Sequence, residues 1–203
     1  MKWGFIMYKS LKRFVSACVI IAGFLLTACQ APQNTITFTA PAAVGPFNAQ
    51  NQNSSVSVTS RDLRGNQTVS QYTYDGQLYP IFAQPSIAEV FQQALQQDLN
   101  SKGFRILPNN APAVVTVNVK QFYANVNQGN LRYKIDASVQ LTIQVQSAKG
   151  EYSKNIETHR SQEGAFGAKT PEIQKVLTQA FTDAINGIYQ DQDVSNAIIR
   201  LTH

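Results

Sequence analysis

The residues that usually carry chemistry are scarce in this sequence. Two cysteines, two histidines, one tryptophan and two methionines are spread over 203 residues, and only 14% of positions are Asp, Glu, Lys or Arg. A metal site needs three or four converging donors, and neither His159 nor His203 has a second ligand at useful spacing. No G-x-S-x-G elbow occurs, and no glycine-rich loop carries the lysine of a nucleotide site. The few acids are scattered. Glu157 and Glu163 share a segment but read as surface groups rather than as two carboxylates facing one cleft. Composition leaves a Ser-His-Asp site open, with His159 as its one plausible base, but no motif with catalytic or nucleotide-binding geometry stands behind it, so a non-enzymatic chain without a cofactor is expected.

Long apolar runs are missing too. The longest, Phe14 to Leu26, has 13 residues, short of the roughly 20 that a membrane-spanning helix needs. It comes after Lys9, Lys12 and Arg13 and closes on Leu26-Thr27-Ala28-Cys29. A basic start, a short apolar middle and small residues at the cut describe a secretory signal. With cysteine directly after the small pair, the pattern resembles a bacterial lipobox. That resemblance implies cleavage before Cys29 and a covalent lipid on it. Gln30 stands next, where an aspartate would favour inner-membrane retention, so the outer membrane, facing the periplasm, is expected. A single acyl chain anchors only marginally, and lipoproteins of this kind carry several.

The leader also explains the apparent charge. Lys2, Lys9, Lys12 and Arg13 lie in the first 28 residues with no acid among them, so residues 29–203 carry a net charge of about +1. No basic cluster stands out after residue 30, and nucleic acid is not an expected partner. Cys18 falls in the leader and Cys29 is committed to lipid, which leaves the folded part without a disulfide. The expected organisation is a signal peptide over 1–28, a lipidated cysteine with a flexible tether over 29–55, and one periplasmic domain over 56–203.

Within the domain, Val56-Ser57-Val58-Thr59 alternates as a first strand, and Arg61 to Asp75 suggests a weak hairpin ending at Asp75-Gly76. Ser86 and Glu89 form a capping box. The stripe Ile87, Val90, Phe91, Ala94, Leu95 and Leu99 then predicts a helix stopped by Gly103, with Phe104 folding back. Val115, Val117 and Val119 share one strand face, but Phe122, Ala124 and Val126 share the next phase. This slip near Lys120-Gln121 predicts a β-bulge. Leu131 to Val145 alternates without a break, and Glu151 to Gln162 reads as a polar edge strand. A helix starts at Thr170-Pro171, and a short one covers Asp193 to Leu201. The expected fold is α+β: an antiparallel sheet of three to five strands, with two main helices packed on one face and a short C-terminal helix.

Two connections invite a functional reading. Gly164-Ala165-Phe166-Gly167 lacks the spacing of a nucleotide loop and reads as a plain link with Phe166 packed in the core. The hairpin from Gln121 to Tyr133 gathers aromatics, amides and one arginine around a turn, on strands that would hold them rigidly. Its Tyr123, Asn125, Gln128, Asn130, Arg132 and Tyr133 are the candidate partner-binding residues. Together with the lipobox, Lys102-Gly103-Phe104 and Glu163-Gly164-Ala165-Phe166, this hairpin resembles the YajG family of lipoproteins. The resemblance implies an uncharacterised outer-membrane lipoprotein, brings no catalytic residues, and transfers Cys29 alone as a functional position. The expected partners are the membrane, through the anchor, and an envelope protein or the cell wall; the alternative is a binder of a small cell-wall fragment.

Overall fold

The unbroken alternation from Leu131 to Val145 forms the middle of a three-strand antiparallel ladder. β6 (Ala113–Gln128), β7 (Arg132–Ser147) and β8 (Gly150–Ala165) each run sixteen residues and pair along their whole length. The computed structural model describes residues 34–203; Cys29 and the leader read at 1–28 lie outside the described residues. β8 is a free edge, and its charged residues, among them Glu151, Lys154, Glu157, Arg160 and Glu163, guard it against pairing with another chain. The bulge falls where the pattern slips: the β6–β7 register shifts between Val119 and Gln121.

The sheet as a whole corrects the expected architecture. In place of an antiparallel sheet of three to five strands with helices on one face, eight strands form one mixed sheet. β2 (Ser55–Asp62) runs parallel to β6 and to the short β5 (Arg105–Ile106). β3 (Thr68–Tyr74) runs parallel to β6 and antiparallel to β4 (Gln77–Ala83), and β4 carries β1 (Thr35–Ile36) in parallel. The reason is topological. Antiparallel neighbours joined by a tight turn announce themselves locally, whereas parallel neighbours need a long crossover. Here the crossover between β2 and β6 contains the β3–β4 hairpin and α1 (Ile87–Ser101).

β2 and β3 lie end to end along a single edge of β6, the first against Ala113–Val119 and the second at Ala124. Arg64 fills the break between them. Its guanidinium donates to both carboxylate oxygens of Asp62 (2.9 and 2.7 Å) and to the Phe122 carbonyl (3.2 Å), on the β6 edge between the two pairings. The same hydrogen bonds hold Asp62 below the usual carboxylate range, against a smaller effect of burial. The β3–β4 hairpin turns at Asp75-Gly76, both at positive φ (52° and 74°), the requirement of a type I′ turn. The turn therefore sits in the middle of a hairpin over Thr68–Ala83 and does not end one begun at Arg61.

α1 packs on β2 and β6, while α2 (Thr170–Gln190) and α3 (Asp193–Thr202) pack on β7 and β8. Ser86 caps α1 by accepting from the Glu89 backbone N–H, and Gly103 at φ +99° ends it with Phe104 folded back and buried. Four phenylalanines, Phe38, Phe91, Phe122 and Phe181, meet in the centre with ring centroids 5.0–6.4 Å apart. Phe38 belongs to the stretch read as tether. It is buried together with Ile36, each contributing about 1.5–3 kcal/mol. The Tyr189 hydroxyl, donating to the Pro41 carbonyl at 2.8 Å, holds the segment just after them.

Candidate functional site

Three connections arrive at one end of the sheet. β3 and β6 are parallel, so the Asp75-Gly76 turn and the Gly129–Leu131 turn lie at the same end. β8 finishes there too, because Ala165 pairs with Arg132. The Phe166 N–H extends that pairing by donating to the Leu131 carbonyl at 2.9 Å. This places Leu131 and Phe166 side by side, 74% and 77% exposed, with Phe166 at φ +66°. The expectation that Phe166 packs in the core is overturned: the left-handed backbone turns the ring outward, a conformation costing about 1–2 kcal/mol for a residue with a Cβ. Tyr74 and Leu78, flanking the other turn, are also exposed by half or more. Single exposed apolar side chains need no explanation, but four gathered at one end do.

A groove opens beside them. β3 pairs with β6 at a single position, Ser70 opposite Ala124, where the buried Ser70 hydroxyl donates to the Ala124 carbonyl at 2.7 Å. Beyond that pair neither strand has a ladder partner on its facing edge. A groove of about 720 Å³ lies between Gln71, Thr73 and Asp75 on one wall and Asn125, Asn127 and Asn130 on the other.

The candidate hairpin residues divide between two faces. Opposed residues of an antiparallel pair share a face. Tyr123 opposite Ser138 and Asn125 opposite Asp136 stand on the polar side, while Gln128 opposite Tyr133 continues the helix-covered side of Val126 and Ile135. Tyr133 is buried against Gly164, where an added Cβ would come within 2.4 Å of its ring atoms, and its hydroxyl accepts from Gln162 at 3.4 Å. Gln128 lends its Oε1 to the Ala168 N–H at 3.2 Å and so holds the loop that carries Phe166. Tyr133 shapes the site from inside, while Gln128 is exposed and lines the groove. Asn125 and Asn130 line the groove, and Arg132 is exposed beside it. Tyr123 lies in a second, smaller depression with Arg64 and Gln121, and partial burial raises its hydroxyl pKa.

Sequence reasoning missed Tyr74, Leu78, Leu131 and Phe166. A signal was present: each is a large apolar side chain inside or next to a turn whose other residues are glycine and short polar types. Elsewhere, Gln92, Gln96, Gln97 and Asn100 of α1 line an open groove of about 680 Å³ with Leu107 and Pro108. His159 hydrogen-bonds Glu157 at 2.9 Å on the outside of β8, and His203 meets the Ser54 hydroxyl at 3.0 Å.

An eight-stranded mixed sheet packed with three helices carries this end. The model of a family described as uncharacterized lipoprotein matches residues 41–199, and the chain belongs to that family. The uncharacterized lipoprotein YajG of Escherichia coli K12 is 27% identical over 180 residues, covering 88% of this chain and 93% of its own. Among solved structures, a minor lipoprotein from Acinetobacter baumannii is similar at 11% identity and a TM-score of 0.40, over 74% of this chain and 96% of that one. Rare lipoprotein B from Shewanella oneidensis is similar at 12% identity and a TM-score of 0.39, over 73% of this chain and 99% of its own.

Proposed function

We propose that this lipoprotein is a non-enzymatic binding module of the outer membrane, held by lipid on Cys29 and facing the periplasm. It engages another envelope component through the groove between β3 and β6. The observation that carries this reading is the parting of the two strands beyond Ser70 and Ala124. Two facing strand edges keep free backbone N–H and C=O groups, and an extended segment of an envelope protein satisfies both by adding a strand. The surrounding amides supply hydrogen bonds without a charged field, and the strands fix their positions.

The test is a photo-crosslinking residue at Asn125 or Asn127 in living cells. A discrete protein adduct is expected, weakened when Asn130→Trp fills the groove. Absence of an adduct from either position, with the Asn130→Trp variant behaving as wild type, removes the groove from contention. The amide lining also favours a second reading, a cell-wall fragment bound through its hydroxyl and amide groups. In that case a soluble peptidoglycan fragment shifts the NMR signals of Asn125 and Asn130 and no protein adduct forms.

A further inference from the structure

We infer that the loop end of the sheet is seated on the lipid bilayer, with Leu131, Phe166, Tyr74 and Leu78 resting at the boundary between headgroups and acyl chains. The inference rests on the reading of Cys29 as the lipid-bearing residue. It is carried by the direction and length of the chain between that residue and the domain.

β1 is parallel to β4, and β4 runs away from the Asp75-Gly76 turn, so the chain enters β1 from the turn side. The Asn34 carbonyl accepts from the Phe82 N–H at 2.8 Å, which sets Asn34 level with Ile81. Ile81 pairs with Ser70, and Ser70 with Ala124, so all four lie at one level along the sheet. From Ala124 to the loop end at Gln128 is about 13 Å, and from Ala124 to the far end at Ala113 about 36 Å, at roughly 3.3 Å per residue. Asn34 lies five residues after Cys29, and five residue steps reach at most about 18 Å. An anchor on that leash allows the loop end to reach the membrane surface and cannot bring the far end there.

Apolar side chains are available at the end the anchor can reach. The four large apolar residues stand at the end within reach, Leu131 and Phe166 being about three-quarters exposed. At the far end the Ala148-Lys149 turn is exposed and polar, and Val44 and Phe47, also exposed, stand there beside Ser101–Gly103, beyond the reach of that leash. Around the loop end, Arg132 and Lys169 are balanced by Asp75 and Glu163, all at the surface. The contact is therefore apolar rather than electrostatic, and it should depend little on salt or on the share of anionic lipid. The seating also sets the β3–β6 groove just above the membrane, where a partner's juxtamembrane segment would meet it.

The experiment uses the full lipidated protein in vesicles of phosphatidylethanolamine and phosphatidylglycerol containing no other protein. Cys29 is consumed by its lipid, so one introduced thiol carries one fluorophore, at Leu131→Cys, Phe166→Cys or Lys149→Cys. The proposal predicts that a nitroxide on the lipid quenches the labels at 131 and 166 at least threefold more than the label at 149, and that iodide in the water does the reverse. Equal quenching at all three sites, by either reagent, overturns it. So does protection of 131 and 166 in cells but not in protein-free vesicles: this end then takes a protein, and the groove reading stands while the seating fails. If a Cys29→Ala chain stays with the vesicles as the wild type does, the anchor reading fails and the seating falls with it. Because Leu131 and Phe166 are exposed, Leu131→Asp with Phe166→Asp leaves the fold intact; in that variant a label at Tyr74→Cys should lose most of its lipid quenching.

Discussion

The two ends of this sheet are built on opposite principles. At the far end a set of side-chain hydrogen bonds and ion pairs ties the elements together. The Ser147 hydroxyl donates to the Leu201 carbonyl at 2.9 Å, and Ser54 meets Thr202 and His203, each at 3.0 Å. Lys154 bridges Asp191 and Asp193 at 2.9 and 2.7 Å. Lys102, buried at the end of α1, donates to Asp98 at 2.9 Å and to the Asp191 carbonyl at 2.8 Å. At the loop end the sheet splits, a phenylalanine sits in a left-handed backbone conformation, and four apolar side chains face outward. The first end is held by polar ties, and the second is the one proposed here for adhesion. A substitution should therefore cost stability at the first end and binding at the second.

The comparison breaks most easily at the buried pair. Removing one partner, by Asp98→Leu or Lys102→Met alone, leaves a buried charge and should cost about 3–5 kcal/mol in chemical denaturation, while the double variant recovers most of it. Burial, only partly offset by Lys102, raises Asp98 to about 6 from the ordinary 3.8. Between those values the folded state holds a proton that the unfolded chain has released. The resulting stability is fully present below about pH 4 and fades as pH rises through about 6. Thermal melts across that window should show this loss in the wild type and not in the double variant.

A smaller effect sharpens the boundary between the ends. Gly164→Ala drives a methyl into the Tyr133 ring and should cost about 1–3 kcal/mol, since the closest approach would be 2.4 Å. Tyr133→Leu in the same chain should return part of that cost, measured by urea unfolding. The smallest effect lies at the tip. Phe166→Gly relieves a positive φ of 66° and should leave stability unchanged or raise it by up to about 1 kcal/mol. The same change should weaken lipid contact. A residue whose loss stabilises the domain but impairs its contacts is held for binding.

Legibility in the sequence tracks the range of the forces involved. The β6–β7–β8 ladder, its bulge at Lys120, the Ser86 cap and the Gly103 stop are local patterns, and all were legible. The parallel pairings of β2, β3 and β1 depend on crossovers of many residues and left no mark on the strands themselves. The polar, proline-containing stretch after Cys29 reads as a tether over 29–55, although within it Ile36-Thr37-Phe38-Thr39 has the alternation of a short strand able to dock on the domain. Yet Ile36 and Phe38 alone are enough to draw it into the core, and the domain's compact unit begins at Asn34. In the hairpin, period-2 alternation already places Tyr133 with Ile135 and Ala137 on the buried side. Aromatic and amide content drew it into the candidate site instead. Phe166 was illegible for the opposite reason, because its exposure comes from one backbone angle that no periodicity encodes.

We propose the loop end, and not the far end, as the surface this lipoprotein presents to the envelope. Thiol labelling in intact cells measures it directly, with a water-soluble maleimide that enters the periplasm and single cysteines at Leu131 and Lys149. Lys149→Cys should be labelled rapidly and Leu131→Cys at least tenfold more slowly, although both positions are exposed in the isolated domain. Equal labelling rates at the two positions would contradict it.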